Sequence, residues 1–340
     1  MAGTYLNIPF DNDLFVDAWQ EAPDPTKLAL INSGVLVEDP IAADQLQNKG
    51  NLYTLPFYDA LAGDEVNYDG ATDITATEAS GSAQTGIAYG RAKAFTARNF
   101  VAELSGSDPF GHIVNSVARY WNKKRQSRII GLLDGIFSIT GDSDWLAHTV
   151  DLTSETATAS KIEENTINDA ATATLGDNKG LYSVAIMHSA VAKTLEDLQL
   201  LEFWKQTDAN GIQRPMSLAS CNGFTVIVDD SVPHSTVGGS GANKDLMKYT
   251  TYLLGTGVLR TAPGRVDVPV EVTRDALKNG GQDTLVTRIR ETIHPNGIGF
   301  TVPSSGWTES PTDAQLFNKS NWSRKFEAKA IPMCKIITNG

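Results

Sequence analysis

Residues that could perform chemistry are scattered through this chain of 340 residues, and their spacing matches no common catalytic motif. The glycine-rich segment GGSGANKD at 238–245 lacks the spacing of a phosphate loop, and Asp245 stands where such a loop needs a hydroxyl group for Mg²⁺. The segment GTGVLR at 255–260 has two glycines of a dinucleotide fingerprint, but Arg260 replaces the third. DNDLF, which begins at Asp11, lacks the glycine and the final glutamate of a calcium loop.

The titratable residues give no clearer site. No two histidines are four positions apart and no cysteine lies near one in sequence, which disfavours a metal site. Those histidines are His112, His148, His188, His234 and His294. Asp142 and Asp144 in GDSD are more typical of a turn than of a paired acid and base. We therefore predict no catalytic residue, no cofactor and no metal, and hence no enzyme, although one sequence leaves open a site assembled from distant residues.

Charge and hydropathy narrow the class of protein. The chain has 28 Lys and Arg against 40 Asp and Glu, which argues against a nucleic-acid binder as a whole and leaves room for a local basic patch. No run approaches the ~20 apolar residues of a membrane span, and the N-terminus has no signal-peptide pattern. Cys221 and Cys334 are then expected to be reduced thiols.

The longest predicted element is a helix over 108–137, DPFGHIVNSVARYWNKKRQSRIIGLLDGIF. Asp108 is a good N-cap, and Pro109 is favoured at the first helical position. An apolar stripe opens the helix and resumes, rotated, near its end, which indicates that the two ends pack against different material.

The middle of this helix carries a basic cluster, Lys123, Lys124, Arg125 and Arg128. Two interpretations stay open. The cluster could be a solvated face, or salt bridges to the protein's own carboxylates. It could instead form a surface that contacts nucleic acid through phosphates.

The regions around the helix divide the chain. Residues 1–50 are short apolar patches between Asp and Pro, with Tyr5, Phe10, Phe15 and Trp19. They read as an extended arm, with an N-terminal subdomain as the alternative.

Two β-rich segments, Leu52–Leu61 and Gly86–Phe100, flank a polar stretch and suggest a long hairpin, either a solvated loop or an arm that reaches a neighbouring chain. That hairpin has six acids and no Lys or Arg between Gly50 and Gly90.

After the long helix, the patterns predict alternating helices and strands. A helix is expected over 160–177, opened by Ser160 with Glu163 at capping-box spacing. A buried strand should run into a helix over 181–204, with further strands at 223–230 and 250–259. A long extended run over 283–302 carries Arg288 and Arg290.

Several stretches resemble the major capsid proteins of tailed bacteriophages. The long helix resembles their spine helix, and the segments 185–195, 253–259, 288–300 and 310–322 resemble recurring segments of one branch of these proteins. Each motif is weak alone, but their order and spacing over nearly the whole chain are fairly specific.

The resemblance implies an α+β chain with the Hong Kong 97 capsid fold. The implied parts are an N-terminal arm (1–50), an E-loop (51–98), a P-domain (99–178) with its spine helix (108–137), an A-domain (179–284), and a return strand and C-terminal segment (285–340). It implies self-assembly into pentamers and hexamers, an icosahedral shell around double-stranded DNA, a portal protein and, in some members, decoration proteins. The protein would be assembled in the host cytoplasm and reside in the virion, with no membrane partner.

Three hypotheses for the function of the chain follow. The first is the phage capsid protein, the second an encapsulin-like compartment that holds cargo protein, and the third a soluble α/β enzyme or binding protein. Because the chain begins with arm-like residues, we expect a separate scaffolding protein. The hairpin has no lysine between Gly50 and Gly90, which argues against the crosslinking chemistry of some relatives.

The acidic hairpin also suggests specific intersubunit contacts. We expect Asp64, Glu65, Asp69 and Asp73 to meet basic residues of an adjacent subunit, with Arg288 and Arg290 as candidate partners. If the chain is a phage capsid protein, the basic helix cluster would face the DNA.

Overall fold

A computed structural model describes residues 2–5, 8–11, 30–31, 33–48, 50–61, 63–71, 73–74, 76–153, 160–207, 213–236 and 246–340. Of the four large apolar residues predicted in the arm, Phe15 and Trp19 fall outside these ranges, and only the backbone is described at Tyr5 and Phe10. The segment 238–245 also falls outside them.

The elements alternate short strands with a few helices. The first part of the chain contains β1 (Ala2–Tyr5), β2 (Ile8–Asp11), β3 (Leu36–Glu38), α1 (Pro40–Asn48), β4 (Leu52–Tyr58), β5 (Gly81–Ile87), β6 (Tyr89–Arg98), α2 (Asn99–Ser105) and α3 (Pro109–Phe137). The middle contains α4 (Ser143–Leu146), β7 (Thr149–Asp151), α5 (Thr166–Leu175), β8 (Tyr182–Met187), α6 (Ser189–Asp197), β9 (Glu202–Thr207), β10 (Gln213–Cys221), β11 (Phe224–Val228) and β12 (His234–Thr236). The last part contains β13 (Met247–Gly255), β14 (Leu259–Pro263), β15 (Val270–Asp275), β16 (Gln282–Pro295), β17 (Ile298–Phe300), α7 (Asp313–Leu316), β18 (Trp322–Arg324) and β19 (Met333–Thr338).

Two larger sheets organise these strands. The eight-stranded sheet runs β7-β19-β13-β8-β11-β10-β9, with β12 attached to β13. The five-stranded sheet is built around β16, which pairs with β15 and β14 along one edge and with β6 along the other, while β3 adds to β14. The chain is therefore α+β, as its sequence predicts.

The centre of the eight-stranded sheet, at β8, is buried on both faces. Along β8, Val184 and Ile186 join a core that contains the second half of α3, whereas Ala185 and Met187 join a second core with α5 and α6. This alternation is what a two-sided strand requires, because successive side chains point to opposite faces. The buried thiols of Cys221 and Cys334 both lie in the second core.

The long helix begins and ends as its sequence predicts. The Asp108 side chain accepts a hydrogen bond from the Gly111 N–H at 2.9 Å, and Pro109 takes the first position. Only its second half is buried: the buried positions begin at Gln126, whereas Val114 in the first half is 47% exposed. The two ends thus have different surroundings, as the rotated apolar stripe indicates.

Two sequence predictions need correction. The helix expected from Ser160 begins at Thr166, because the segment before it pairs with the C-terminus: the Ser160 N–H donates to Asn339 Oδ1 at 2.9 Å, and the Ile162 N–H to the Gly340 carbonyl at 3.2 Å. The second β-rich segment, expected as one element from Gly86, is two strands. β5 starts at Gly81, among small polar residues that give no hydrophobic signal, and pairs with β4.

The remaining predictions are confirmed in type, with two boundaries shifted. β8 runs into α6, but α6 ends at Asp197, and residues 202–204, expected in that helix, belong to β9. β11 lies where its apolar run places it, the strand expected over 250–259 is β13 and ends at Gly255, and β16 ends at Pro295 before a turn. None of the helices in the described ranges is apolar over a length that could span a membrane.

Candidate functional site

The middle of the long helix meets β6, β16 and α7 in a partly buried group of charges, which we call the charged junction (Arg91, Arg125, Arg128, Glu291 and Asp313). Arg128 Nε lies 3.0 Å from Asp313 Oδ1, which also accepts from Arg91 Nη2 at 2.6 Å. Arg125 Nε lies 3.2 Å from Glu291 Oε2. The junction therefore ties the helix to strands that are distant in sequence.

Tyr89 of β6 packs against the two arginines of the junction with its ring and binds Glu291 with its hydroxyl. The guanidinium carbon of Arg128 lies 4.6 Å from the centre of the Tyr89 ring, and that of Arg91 lies 5.1 Å from it. The Tyr89 hydroxyl donates to Glu291 Oε1 at 2.9 Å. Burial, and next the charge of Glu291, raise the pKa of Tyr89 well above its ordinary value, so the phenol stays a hydrogen-bond donor.

The carboxyl group of Asp313 is held in its charged form. Burial alone would raise its pKa, but hydrogen bonds from Arg91 and Arg128 outweigh this effect and lower the pKa. Arg128 is 6% exposed, so its charge depends on these partners and not on solvent.

The basic helix cluster predicted from the sequence is divided in two by these contacts. Arg125 and Arg128 point into the chain, and Arg125 Nη2 also donates to Thr261 Oγ1 at 2.7 Å. Lys123 and Lys124 are exposed, and the Lys124 ammonium lies 5.8 Å from the centre of the Tyr120 ring. The two arginines are thus salt-bridge partners within the protein, whereas the two lysines face outward.

The predicted intersubunit residues also fall into two groups. Asp64, Glu65, Asp69 and Asp73 are all exposed in the segment that joins β4 to β5. Arg288 pairs with Glu271 at 3.0 Å. Arg290 donates to Asn51 Oδ1 at 2.8 Å and to the Gly50 carbonyl. Within the described chain, neither arginine pairs with any of the four acids.

The hairpin formed by β4 and β5 (the hairpin, residues 52–87) is exposed along most of its length beyond its base. Tyr58, Leu61 and Tyr68 are 88%, 87% and 90% exposed. Exposed large apolar groups in such number on one segment are unusual for a monomer and mark interaction surfaces. The hairpin therefore presents material that its own chain does not cover.

The base of the hairpin is anchored firmly to the body. Tyr53 is buried, and its hydroxyl lies 3.1 Å from Thr292 Oγ1 of β16. The rings of Phe57 and Phe326 meet edge to face at 4.7 Å. Gln84 Oε1 accepts from the Gly297 N–H at 2.9 Å. An exposed tip on an anchored base is the geometry of an arm.

The sequence did not single out Tyr89, Arg91, Glu291 or Asp313. Tyr89 and Arg91 are two positions apart on a strand, so alternation places them on one face. No pattern in the sequence identifies which helix that face contacts. Across the described ranges, no group of three or more His, Cys, Asp or Glu side chains could hold a metal ion.

Comparison with known proteins shows to which family the chain belongs. No protein-family model matches the chain. The major capsid protein of Bacillus phage SPP1 is 32% identical over 306 residues, which cover 89% of this chain and 88% of that protein. The chain belongs to the major capsid proteins of tailed bacteriophages. The resemblance noted in the sequence is confirmed.

Solved structures support the same fold for this capsid protein. The capsid of Ralstonia phage GP4 aligns with a TM-score of 0.62 at 12% identity, over 95% of this chain and 94% of that chain. The capsid of cyanophage Pam1 aligns with a TM-score of 0.56 at 7% identity, over 97% of both chains. The head of Helicobacter pylori phage KHP40 aligns with a TM-score of 0.52 at 12% identity, over 96% and 95%.

Proposed function

We propose that copies of this capsid protein assemble into pentamers and hexamers that form an icosahedral head shell around double-stranded DNA. The observation that carries the proposal is the hairpin, whose apolar side chains Tyr58, Leu61 and Tyr68 are almost fully exposed in the part of the chain that the structure describes. A separate scaffolding protein, a portal protein and decoration proteins belong to the same proposal. The sequence relative is a phage capsid protein, so the encapsulin-like compartment is not favoured.

In this proposal the parts of the chain take the roles of the Hong Kong 97 fold. The long helix α3 is the spine of a P-domain over 99–178, and the hairpin lies in an E-loop over 51–98. Residues 1–50 form the N-terminal arm, 179–284 the A-domain, and 285–340 the return strand and C-terminal segment. The half-exposed first part of α3 supports this assignment, because a neighbouring subunit would cover its apolar residues.

The hairpin acids are proposed to pair with basic residues of a neighbouring subunit. Asp64 and Glu65 are adjacent and exposed. The sequence between Gly50 and Gly90 contains no Lys or Arg that could neutralise them. Of the two arginines proposed as partners, Arg288 is 39% exposed in its pair with Glu271, so it can exchange partners. Arg290 is held by Asn51 and backbone carbonyls and is the weaker candidate.

Charge reversal at these acids tests the proposed assembly. Purified full-length protein should form closed shells in negative-stain images as its concentration rises. The variant Asp64→Lys/Glu65→Lys should fold normally but assemble more slowly, most clearly at low salt. Each exposed pair contributes only ~0–1 kcal/mol, but a closed shell repeats the contact many times.

The matched control is Glu163→Lys/Glu164→Lys, which makes the same change in net charge at two adjacent exposed acids outside the hairpin. It should assemble at the wild-type rate. A wild-type protein that stays monomeric or dimeric at high concentration, also when co-expressed with its proposed scaffolding protein, would refute the shell. Equal slowing by both variants would refute the role of the hairpin acids.

Lys123 and Lys124 are proposed to face the enclosed DNA. Arg125 and Arg128, the rest of the predicted cluster, are held in the charged junction, so the DNA-facing charge reduces to the two exposed lysines. Their contacts would go to phosphates, carry no sequence information and weaken with salt.

The variant Lys123→Gln/Lys124→Gln should assemble normally but release its DNA at a lower temperature than wild type, because the acidic shell then repels the packed genome more strongly. DNA release on heating, followed with a fluorescent dye, measures this. Lys319→Gln/Lys329→Gln removes the same charge at exposed lysines elsewhere and should behave as wild type. If both variants release DNA alike, net charge alone explains the effect and the assignment fails.

A further inference from the structure

His294 of β16 is a buried histidine with an unusual environment. Its side chain is 1% exposed, and neither ring nitrogen has a hydrogen-bond partner among the described residues. A buried polar group without a partner costs about 1–3 kcal/mol, so such groups are rare unless they have a role.

Its neighbours hold the base of the hairpin. The ring of Tyr53, on β4, lies edge-on to the His294 ring with centres 6.0 Å apart, and the centre of the Trp322 ring lies 6.1 Å from that of His294. Two residues earlier on the same face of β16, Thr292 bonds the Tyr53 hydroxyl and donates to the Ile87 carbonyl of β5 at 2.7 Å. His294 therefore lies inside the contact that joins both hairpin strands to the body.

The charges around the ring disfavour an added proton. Arg260 of β14 is the ladder partner of His294, and the counter-charge of Arg260 is Asp39, which it already binds at 2.8 Å. The Tyr53 phenol also faces the ring, and it stays neutral because burial raises its pKa strongly. A protonated His294 would thus stand beside a cation with no carboxylate of its own.

We propose that His294 makes the anchorage of the hairpin acid-sensitive: uptake of a proton from solvent by its ring loosens the contact between the hairpin base and β16. When the hairpin base is closed, the neutral His294 ring packs against the two aromatic rings of Tyr53 and Trp322. When the hairpin base separates from β16, the protonated His294 ring can reach water. The inference concerns the folded chain and does not depend on the proposed shell.

The sign of the pH dependence follows from the buried state. Burial, with a smaller contribution from Arg260, lowers the pKa of His294 from 6.5 to about 3. The closed base is therefore fully stable above pH 6.5 and loses stability as the pH falls from 6.5 towards 3. Between pH 7.5 and pH 5 the opening equilibrium of the base should rise at most roughly thirtyfold, if the open base restores the ordinary pKa.

Hydrogen exchange on the full chain, kept below its assembly concentration, tests this proposal. Protection factors, corrected for the pH dependence of chemical exchange, are compared at pH 7.5 and pH 5 for the amides of β4 and β5. The central strand β8 serves as the internal reference. Wild-type protein should lose protection at the hairpin base by up to roughly thirtyfold while β8 keeps its protection.

Two variants and one control complete the design. His294→Phe and His294→Met remove the titrating ring without leaving a partner unsatisfied, and either should abolish the pH-dependent loss; the second serves if the first does not fold. His112→Gln removes an exposed histidine and should lose protection as wild type does. The proposal is overturned if wild type shows no loss at the base, if β8 loses protection equally, or if the His294 variants respond to acid as wild type does.

Discussion

Replacing Arg128 with alanine is expected to lower the free energy of unfolding by about 3 kcal/mol. Arg128 is 6% exposed and contacts Asp313 at 3.0 Å, Glu291 at 3.9 Å and the ring of Tyr89. Its removal leaves Glu291, itself 14% exposed, with a single remaining cation, Arg125. Removing one member of a buried ion pair is costly because the other charge stays desolvated.

Chemical denaturation of isolated full-length subunits measures this loss. The control is Arg265→Ala, because Arg265 forms an ion pair with Asp267 at 3.2 Å in which both side chains are more than half exposed. An exposed pair contributes ~0–1 kcal/mol, so the control should change stability little. If the two variants lose the same stability, the charged junction does not tie the helix to β16 and α7.

Gly135→Ala should destabilise the protein by about 2 kcal/mol, although alanine is the better helix former by ~1 kcal/mol. Gly135 lies in the buried half of α3, where an added Cβ would meet the backbone just after α7: it would clash with the Phe317 carbonyl oxygen and stand 2.8 Å from its carbonyl carbon. Backbone cannot rotate away as a flexible side chain can. The helix or the segment at Phe317 must then move.

The opposite sign is expected at an exposed position of the same helix. Ser127→Ala should raise stability by a few tenths of a kcal/mol through helix propensity alone. The difference between the two variants, measured by thermal or chemical unfolding, isolates the close approach of the two backbones. A stabilising Gly135→Ala would contradict the packing of α3 against Phe317.

Local patterns in the sequence identify those elements whose signals are themselves local. Asp108 and Pro109 mark the start of α3, and the apolar runs of β8, β11 and β13 mark strands, because capping and burial act within a few residues. Ser160 carries the same kind of signal and misleads. The hydrogen bond from its N–H goes to Asn339, which no local pattern reveals.

The charged junction could not be assembled from the sequence for a similar reason. Arg128 and Asp313 are 185 positions apart, and Arg91 and Asp313 are 222 positions apart. Their types indicate ion pairs, but only the fold of β6, β16 and α7 brings them together. The basic cluster on α3 was visible as a run of residues, whereas its division into two arginines paired within the chain and two exposed lysines required the structure.

The most direct test of the central claim, that the exposed hairpin is an intersubunit arm of a capsid shell, is hydrogen exchange on isolated subunits and on assembled particles. The tip segment 59–80 should exchange rapidly in subunits and become protected in particles, while the buried half of α3, from Gln126 to Phe137, should be protected in both. Equal exchange of the tip segment in subunits and particles would contradict the account.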